Sequence, residues 1–161
     1  MMSSRRELRF DTLDDAVRDA EHLLAAGYER AGNWDLAQCC GHLSEWFRYQ
    51  MEGFPPLPLW MRPAMWTLRN TLGPAMARKA IAAGTMRAGI STIPQSVVEP
   101  GRDATAAVAT FRDTVARWTA HAGPLLPSPL FGSMTKPEWV KLHAIHAAHH
   151  LSFLVPKTAG V

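Results

Sequence analysis

Apolar residues recur with helical spacing in four stretches of this chain, and almost nowhere with the period of two that marks a half-buried strand. The first stretch runs from about Asp11 to Ala26. Asp11 or Thr12 can cap it, Leu13, Ala16, Val17, Ala20, Leu23 and Leu24 form its stripe, and Gly27 stops it. The second runs from about Asp35 to Glu52, between Gly32-Asn33-Trp34 and Gly53-Phe54-Pro55-Pro56, with Trp34 placed to staple its first turn. The third, Asp103 to about Ala120, presents Ala106, Ala107, Val108, Phe111, Val115 and Trp118. The fourth opens at Thr135-Lys136-Pro137-Glu138, where a Thr cap, an early Pro and a Glu three residues after the cap coincide. It continues through Trp139, Leu142, Ile145 and Leu151 until Pro156 ends it.

Residues 53–102 separate the second and third stretches, too long a gap for a structureless loop. Residues 60–83 are expected to be helical but broken by Pro63 and by Gly73-Pro74, and residues 84–102 to be extended. Four principal helices with one long crossover describe an all-α four-helix bundle.

Composition agrees with one domain over residues 1–161. The chain is 47% hydrophobic and 19% charged, enough apolar side chain for a sizeable core, which excludes a disordered chain. Lys and Arg exceed Asp and Glu by only three and are scattered, so a nucleic-acid partner is not expected. Cys39 and Cys40, the only cysteines, are adjacent, which excludes a disulfide framework and fits a reducing compartment. Asp11, Asp14 and Asp15 follow the twin arginine where an export signal needs an apolar run, and no stretch reaches the roughly 18 apolar residues of a membrane span. A cytoplasmic protein without a membrane partner is expected.

Four of the seven histidines lie within residues 143–150. On a helix His143, His146 and His150 share a sector of about 60°, and His149 points elsewhere. His146 and His150 have the i, i+4 spacing by which one helix offers two imidazoles to a single metal. The second stretch supplies a third candidate, His42, on a stripe with Asp35, Gln38, Cys39, Glu45, Trp46 and Tyr49. Such polarity on a core-facing stripe is costly unless those groups meet a metal or each other. Three imidazoles in an open site suit a divalent ion, Zn²⁺ or Ni²⁺ foremost, then Fe²⁺ and similar ions. His143 is either a fourth contributor or a group behind the ligands, and Cys39 is read as a buried, inert thiol. His22 and His121 are read as surface residues. Neither a serine triad nor a glycine-rich phosphate loop is present. Residues 58–66 carry Trp60, Met61, Met65 and Trp66; the simplest expectation packs them over the bundle, and the alternatives are a pocket lid, a dimer face or a membrane contact.

Gly32-Asn33-Trp34-Asp35-Leu36-Ala37-Gln38 running into Gly41-His42-Leu43 resembles the helix-two signature of DinB-like proteins. Phe131-Gly132-Ser133-Met134-Thr135, then Trp139 and Leu142-His143-Ala144-Ile145-His146-Ala147-Ala148-His149-His150-Leu151, resembles helix four of that superfamily, and most nearly its bacterial domain of unknown function numbered 1569. The resemblance spans nearly the whole chain. It implies an up-down-down-up four-helix bundle with a three-histidine metal site, the ligands falling on His42, His146 and His150. Characterised relatives include thiol S-transferases and a mycothiol-dependent isomerase, and others have been proposed as metal-dependent hydrolases. Many DinB-like proteins follow the last ligand with Arg-Gly-Gln; Leu151-Ser152-Phe153 stands here, so no substrate carries over.

The expected function is therefore metal-dependent thiol transfer or hydrolysis on a small molecule, with Glu45 as candidate base or hydrogen-bond acceptor and Tyr49 shaping the pocket. The rival expectation is a non-catalytic metal-binding or stress-related module, a homodimer through the Met/Trp segment. A purely structural site would be closed by a fourth protein ligand, His143 or Glu45.

Overall fold

The computed structural model describes residues 4–89 and 93–157. In chain order the described residues form α1 (Leu13–Ala26), β1 (Tyr28–Arg30), α2 (Leu36–Glu52), α3 (Arg62–Thr71), α4 (Gly73–Ala83), α5 (Ala104–Ala120), α6 (Lys136–Leu151) and β2 (Leu154–Pro156). Single 3-10 turns lie at Leu59–Met61 and Pro94–Ser96. The protein is mostly helical, as the all-α expectation requires. No helix among the described residues is long and apolar enough to cross a membrane.

Three of the long helices start with reciprocal caps that satisfy their otherwise orphaned first amides. Thr12 pairs with Asp15, Asp35 with Gln38, and Thr135 with Glu138, each side chain bonding the other's backbone N–H. Asp103 caps α5 through the amide of Thr105 at 2.9 Å. Helices α1, α2, α5 and α6 then bury one shared core, in which Leu23, Phe47, Phe111, Trp118, Trp139 and Leu151 are almost fully enclosed. A buried polar bridge within it joins Trp118 Nε1–H to Gln50 Oε1 at 2.8 Å.

The crossover departs from expectation in two places. Pro63 does not break a helix; it sits in the first turn of α3, where a missing N–H costs nothing. The break falls at Leu72, and Gly73-Pro74 begins α4. Gly73 is buried against the backbone of Leu130 and Phe131, an approach that a Cβ would block. Beyond Gly84 the described part of the stretch expected to be extended holds the Pro94–Ser96 turn and no strand, and residues 90–92 lie outside the described residues.

The fourth helix also ends earlier than Pro156. It stops at Leu151, and Leu154–Pro156 pairs antiparallel with Tyr28–Arg30, Glu29 facing Val155. Backbone bonds extend this ladder on both sides, Ala31 N–H to Phe153 O at 2.8 Å and Lys157 N–H to Gly27 O at 3.0 Å. The ladder fastens the end of α6 to the chain entering α2. Arg6 adds a clasp: its guanidinium donates twice to Asp19, at 2.8 and 2.7 Å, and once to Leu151 O at 2.9 Å. Bidentate and partly buried, this contact belongs to the stronger class of ion pair. We expect Arg6→Ala to lower stability by about 2 kcal/mol in urea denaturation. A loss below about 0.5 kcal/mol would show that the clasp is solvated and idle.

Candidate metal centre

His42 is completely buried on α2, and its tautomer is set by the backbone. Its Nδ1 lies 3.1 Å from the carbonyl oxygen of Ser96, a group that can only accept, so Nδ1–H donates and Nε2 keeps its lone pair. Ser96 reaches this position because residues 93–98 are drawn onto α2. Gln38 Nε2 donates to Val98 O at 3.0 Å, and Gly41 leaves room for Val98, whose side chain a Cβ there would meet at 2.7 Å.

The half-buried His146 and His150, one turn apart on α6, face that lone pair. His146 Nε2 lies 3.2 Å from His42 Nε2 and 3.0 Å from His150 Nε2, and the ligand atoms of all three lie within 4.8 Å of one another. Protons cannot satisfy this meeting of nitrogens. With His42 Nε2 restricted to accepting, one proton on His146 can serve one neighbour and leaves the other contact unpaired. A cation serves all three at once. Imidazole nitrogens about 2.1 Å from a metal are spaced about 3.0–3.4 Å apart for ligand angles of 90–109°, and both short separations fall in that range. These three histidines can therefore hold a metal ion.

Burial dominates the electrostatics of the cluster. It pushes His42 down to about 4 despite the opposing Ser96 carbonyl, and His150 to about 2, with His42, His149 and Arg5 adding repulsion. His146 is driven well below its usual value by burial and then by His150 and His42. The three rings are thus neutral at pH 7, the form that binds metal.

Aromatic rings fix the imidazole planes. Trp34 stacks on His150 with centroids 5.0 Å apart and meets His42 edge-on at 4.9 Å. Its place before the α2 cap suggests only a staple in the sequence, so its role in the site was missed; an aromatic residue just ahead of a helix bearing a ligand is the one available signal. Trp46 meets His146 edge-on at 5.7 Å. The Ser96 carbonyl, a main-chain group, has no signature in the sequence.

The other candidates lie elsewhere. His143 is buried, stacked on Phe47 at 3.8 Å and set between Trp118 and Trp139; its Nε2 has no hydrogen-bond partner, and it stays outside the three-histidine group. Glu45 pairs with Arg48 at 2.8 Å and does not line the cavity at the histidines. Tyr49 packs against Trp46 and Phe54, also off the cavity lining. Cys39 lies 3.8 Å from the carbonyl of His150, and burial raises its thiol far above the usual range, so it carries no thiolate. His22 is exposed and His121 half-buried.

A cavity of about 1350 Å³ opens over the histidines, walled by residues of α2, α4, α6 and the crossover. The Met/Trp segment contributes Met61 and Met65 to that wall. It does not pack over the bundle as the simplest expectation had it: Leu59, Trp60 and Trp66 are 75%, 80% and 62% exposed. The reason is local. Pro55, Pro56 and Pro58 hold the approach to α3 extended, and α3 has no buried residue of its own.

Burial also makes the stability of the metal-free protein depend on pH. Unfolded histidines take up protons near pH 6.5, whereas folded His143 resists to about 3 and His42 to about 4. Their contribution is complete above pH 6.5 and is lost as pH falls toward those values. We expect His143→Phe to flatten that decline by up to one proton, measured by denaturant unfolding from pH 7 to 4, and to stabilise the protein by about 1 kcal/mol because no hydrogen bond is lost. An unchanged slope would mean that His143 titrates normally in the fold.

No curated protein and no solved structure matches this chain. The model of one family does, over residues 2–157, and the chain belongs to that family, described as protein of unknown function (DUF1569).

Proposed function

We propose that this protein is a metal-dependent enzyme of DinB-like type: a four-helix bundle, up-down-down-up, that holds a divalent zinc or nickel ion on His42, His146 and His150 and acts on a small molecule. The observation that carries the reading is the convergence of three Nε2 atoms with one tautomer set by Ser96 O. A divalent ion there supplies Lewis-acid polarisation and lowers the pKa of a nucleophile it binds.

The chain's own residues favour catalysis over a structural ion. Neither His143 nor Glu45 closes the group, and a cavity lies over it. Of the two chemistries, thiol transfer fits better than hydrolysis. No Asp or Glu is among the described residues lining the cavity, so either nucleophile would depend on the ion for its acidity, and a thiol, which ionises near pH 8.5 when free, needs a far smaller shift than water. With both cysteines free and buried, the thiol is a separate small molecule, as a reducing cytoplasm supplies.

Untagged protein should bind about one equivalent of Zn²⁺ at pH 7.5, and His146→Ala should bind at least tenfold more weakly. Added zinc should raise the melting temperature at pH 7.5 and still at pH 5, because burial keeps the folded ligands neutral there, and should lose this effect only as pH falls through about 4. Equal metal content in both proteins, or a melting curve indifferent to zinc at both pH values, would refute the site.

A further inference from the structure

The charge of the chain is divided unevenly. Between Glu52 and Glu99 there is no acidic residue, while Arg62, Arg69, Arg78, Lys79 and Arg87 give this segment +5; the remainder, with 12 Lys and Arg against 14 Asp and Glu, carries −2, which restores the total of +3. Two of those five cations, Lys79 near the end of α4 and Arg87 just beyond it, line the cavity over the histidines, and both are exposed, which places them at its mouth. The rest of the lining is largely apolar, with Met61, Met65, Met76 and Met86 among its residues. Every other titratable group on the described lining is a histidine or Cys39, so no carboxylate among those residues neutralises the two cations.

The volume matters as well. At about 1350 Å³ the cavity exceeds the roughly 300–1,000 Å³ usual for a small-ligand site. Flexible methionines suit a ligand of variable apolar shape. A small polar electrophile would fill little of this space and leave the wall wet.

We infer that the substrate is an anionic amphiphile, an apolar chain with a carboxylate-type head, bound with its head between Lys79 and Arg87 at the mouth and its body along the methionine wall, so that its far end reaches His42, His146 and His150. Taking this cavity as the substrate site rests on the metal-site reading; the recognition of head and body does not require the ion to be present.

The test uses metal-free protein, so that a carboxylate cannot ligate a metal instead. Trp34, Trp46 and Trp139 line the cavity and report binding by their fluorescence. Decanoate, decan-1-ol and decyltrimethylammonium are titrated into the wild type, the double variant Lys79→Gln/Arg87→Gln, and Arg78→Gln, which removes an exposed charge of the same helix that is not on the lining. We expect saturable decanoate binding, weaker binding of the alcohol and least of the ammonium. The double variant should lose about tenfold for decanoate and nothing for the alcohol, and Arg78→Gln should match the wild type. Equal affinity for the anionic and cationic probes, an equal loss in Arg78→Gln, or no saturable binding would overturn the proposal. Zinc binding is measured on the same preparations. Decanoate binding without zinc binding would refute the metal site and leave this inference standing; zinc binding without decanoate binding would do the reverse.

Discussion

The arrangement on which the rest of this structure depends is the meeting of three imidazole nitrogens, one fully buried and two half-buried, at the edge of the core. Each ring has been stripped of its usual hydration, which costs free energy unless the polar atoms find partners. One is found in the Ser96 carbonyl, and it removes a degree of freedom: the His42 proton is committed to Nδ1, and its lone pair must look inward. Several otherwise unrelated features follow from keeping that geometry. Gly41 allows residues 93–98 to lie against α2, Gln38 ties down Val98, and Trp34 stacks flat on His150. The short β1–β2 ladder serves the same end, because it holds the last turn of α6 beside the entry to α2.

What could be read from the residues follows from range. Caps and stripes act within one turn, so the starts of α1 and α6 are visible in Thr12 and in Thr135-Lys136-Pro137-Glu138. The i, i+4 pair His146 and His150 is visible for the same reason, and His42 because a histidine on a core-facing stripe needs an explanation. That stripe was polar for two reasons at once, however. Asp35 and Gln38 serve the helix cap and the Val98 carbonyl, whereas His42 serves the cluster. Glu45, on the same stripe, sits where the helix surface turns toward solvent, and Arg48 one turn on captures it.

The features that escaped are all long-range. Strands of three residues have too few positions to show alternation, and theirs are stabilised by pairing between residues more than a hundred positions apart. The Ser96 carbonyl is a main-chain group, identical in every residue type. Helices α3 and α4 were legible in outline, but their exposure was not. A Met/Trp-rich helix looks the same in sequence whether it covers a core or walls a cavity, and here one helix turns Met65 to the cavity and Trp66 largely to solvent.

The histidines of α6 show how one helix separates roles by environment alone. His143 and His146 are three residues apart and both kept neutral by burial, yet rings of Phe47, Trp118 and Trp139 enclose the first while the second faces two other nitrogens. The donor set so formed is neutral, and that has an electrostatic consequence. A divalent ion held by three imidazoles keeps its full charge, and the described cavity lining adds Lys79 and Arg87 but no carboxylate. In a medium less polarisable than water such charge demands a counterion. The described lining supplies none, so with an ion bound in the proposed site the counter-charge would come from what binds: a thiolate beside the histidines, an anionic head near Lys79 and Arg87, or both. The proposed affinity for anions would in this sense follow from the carboxylates that the described lining lacks as much as from the two cations it contains.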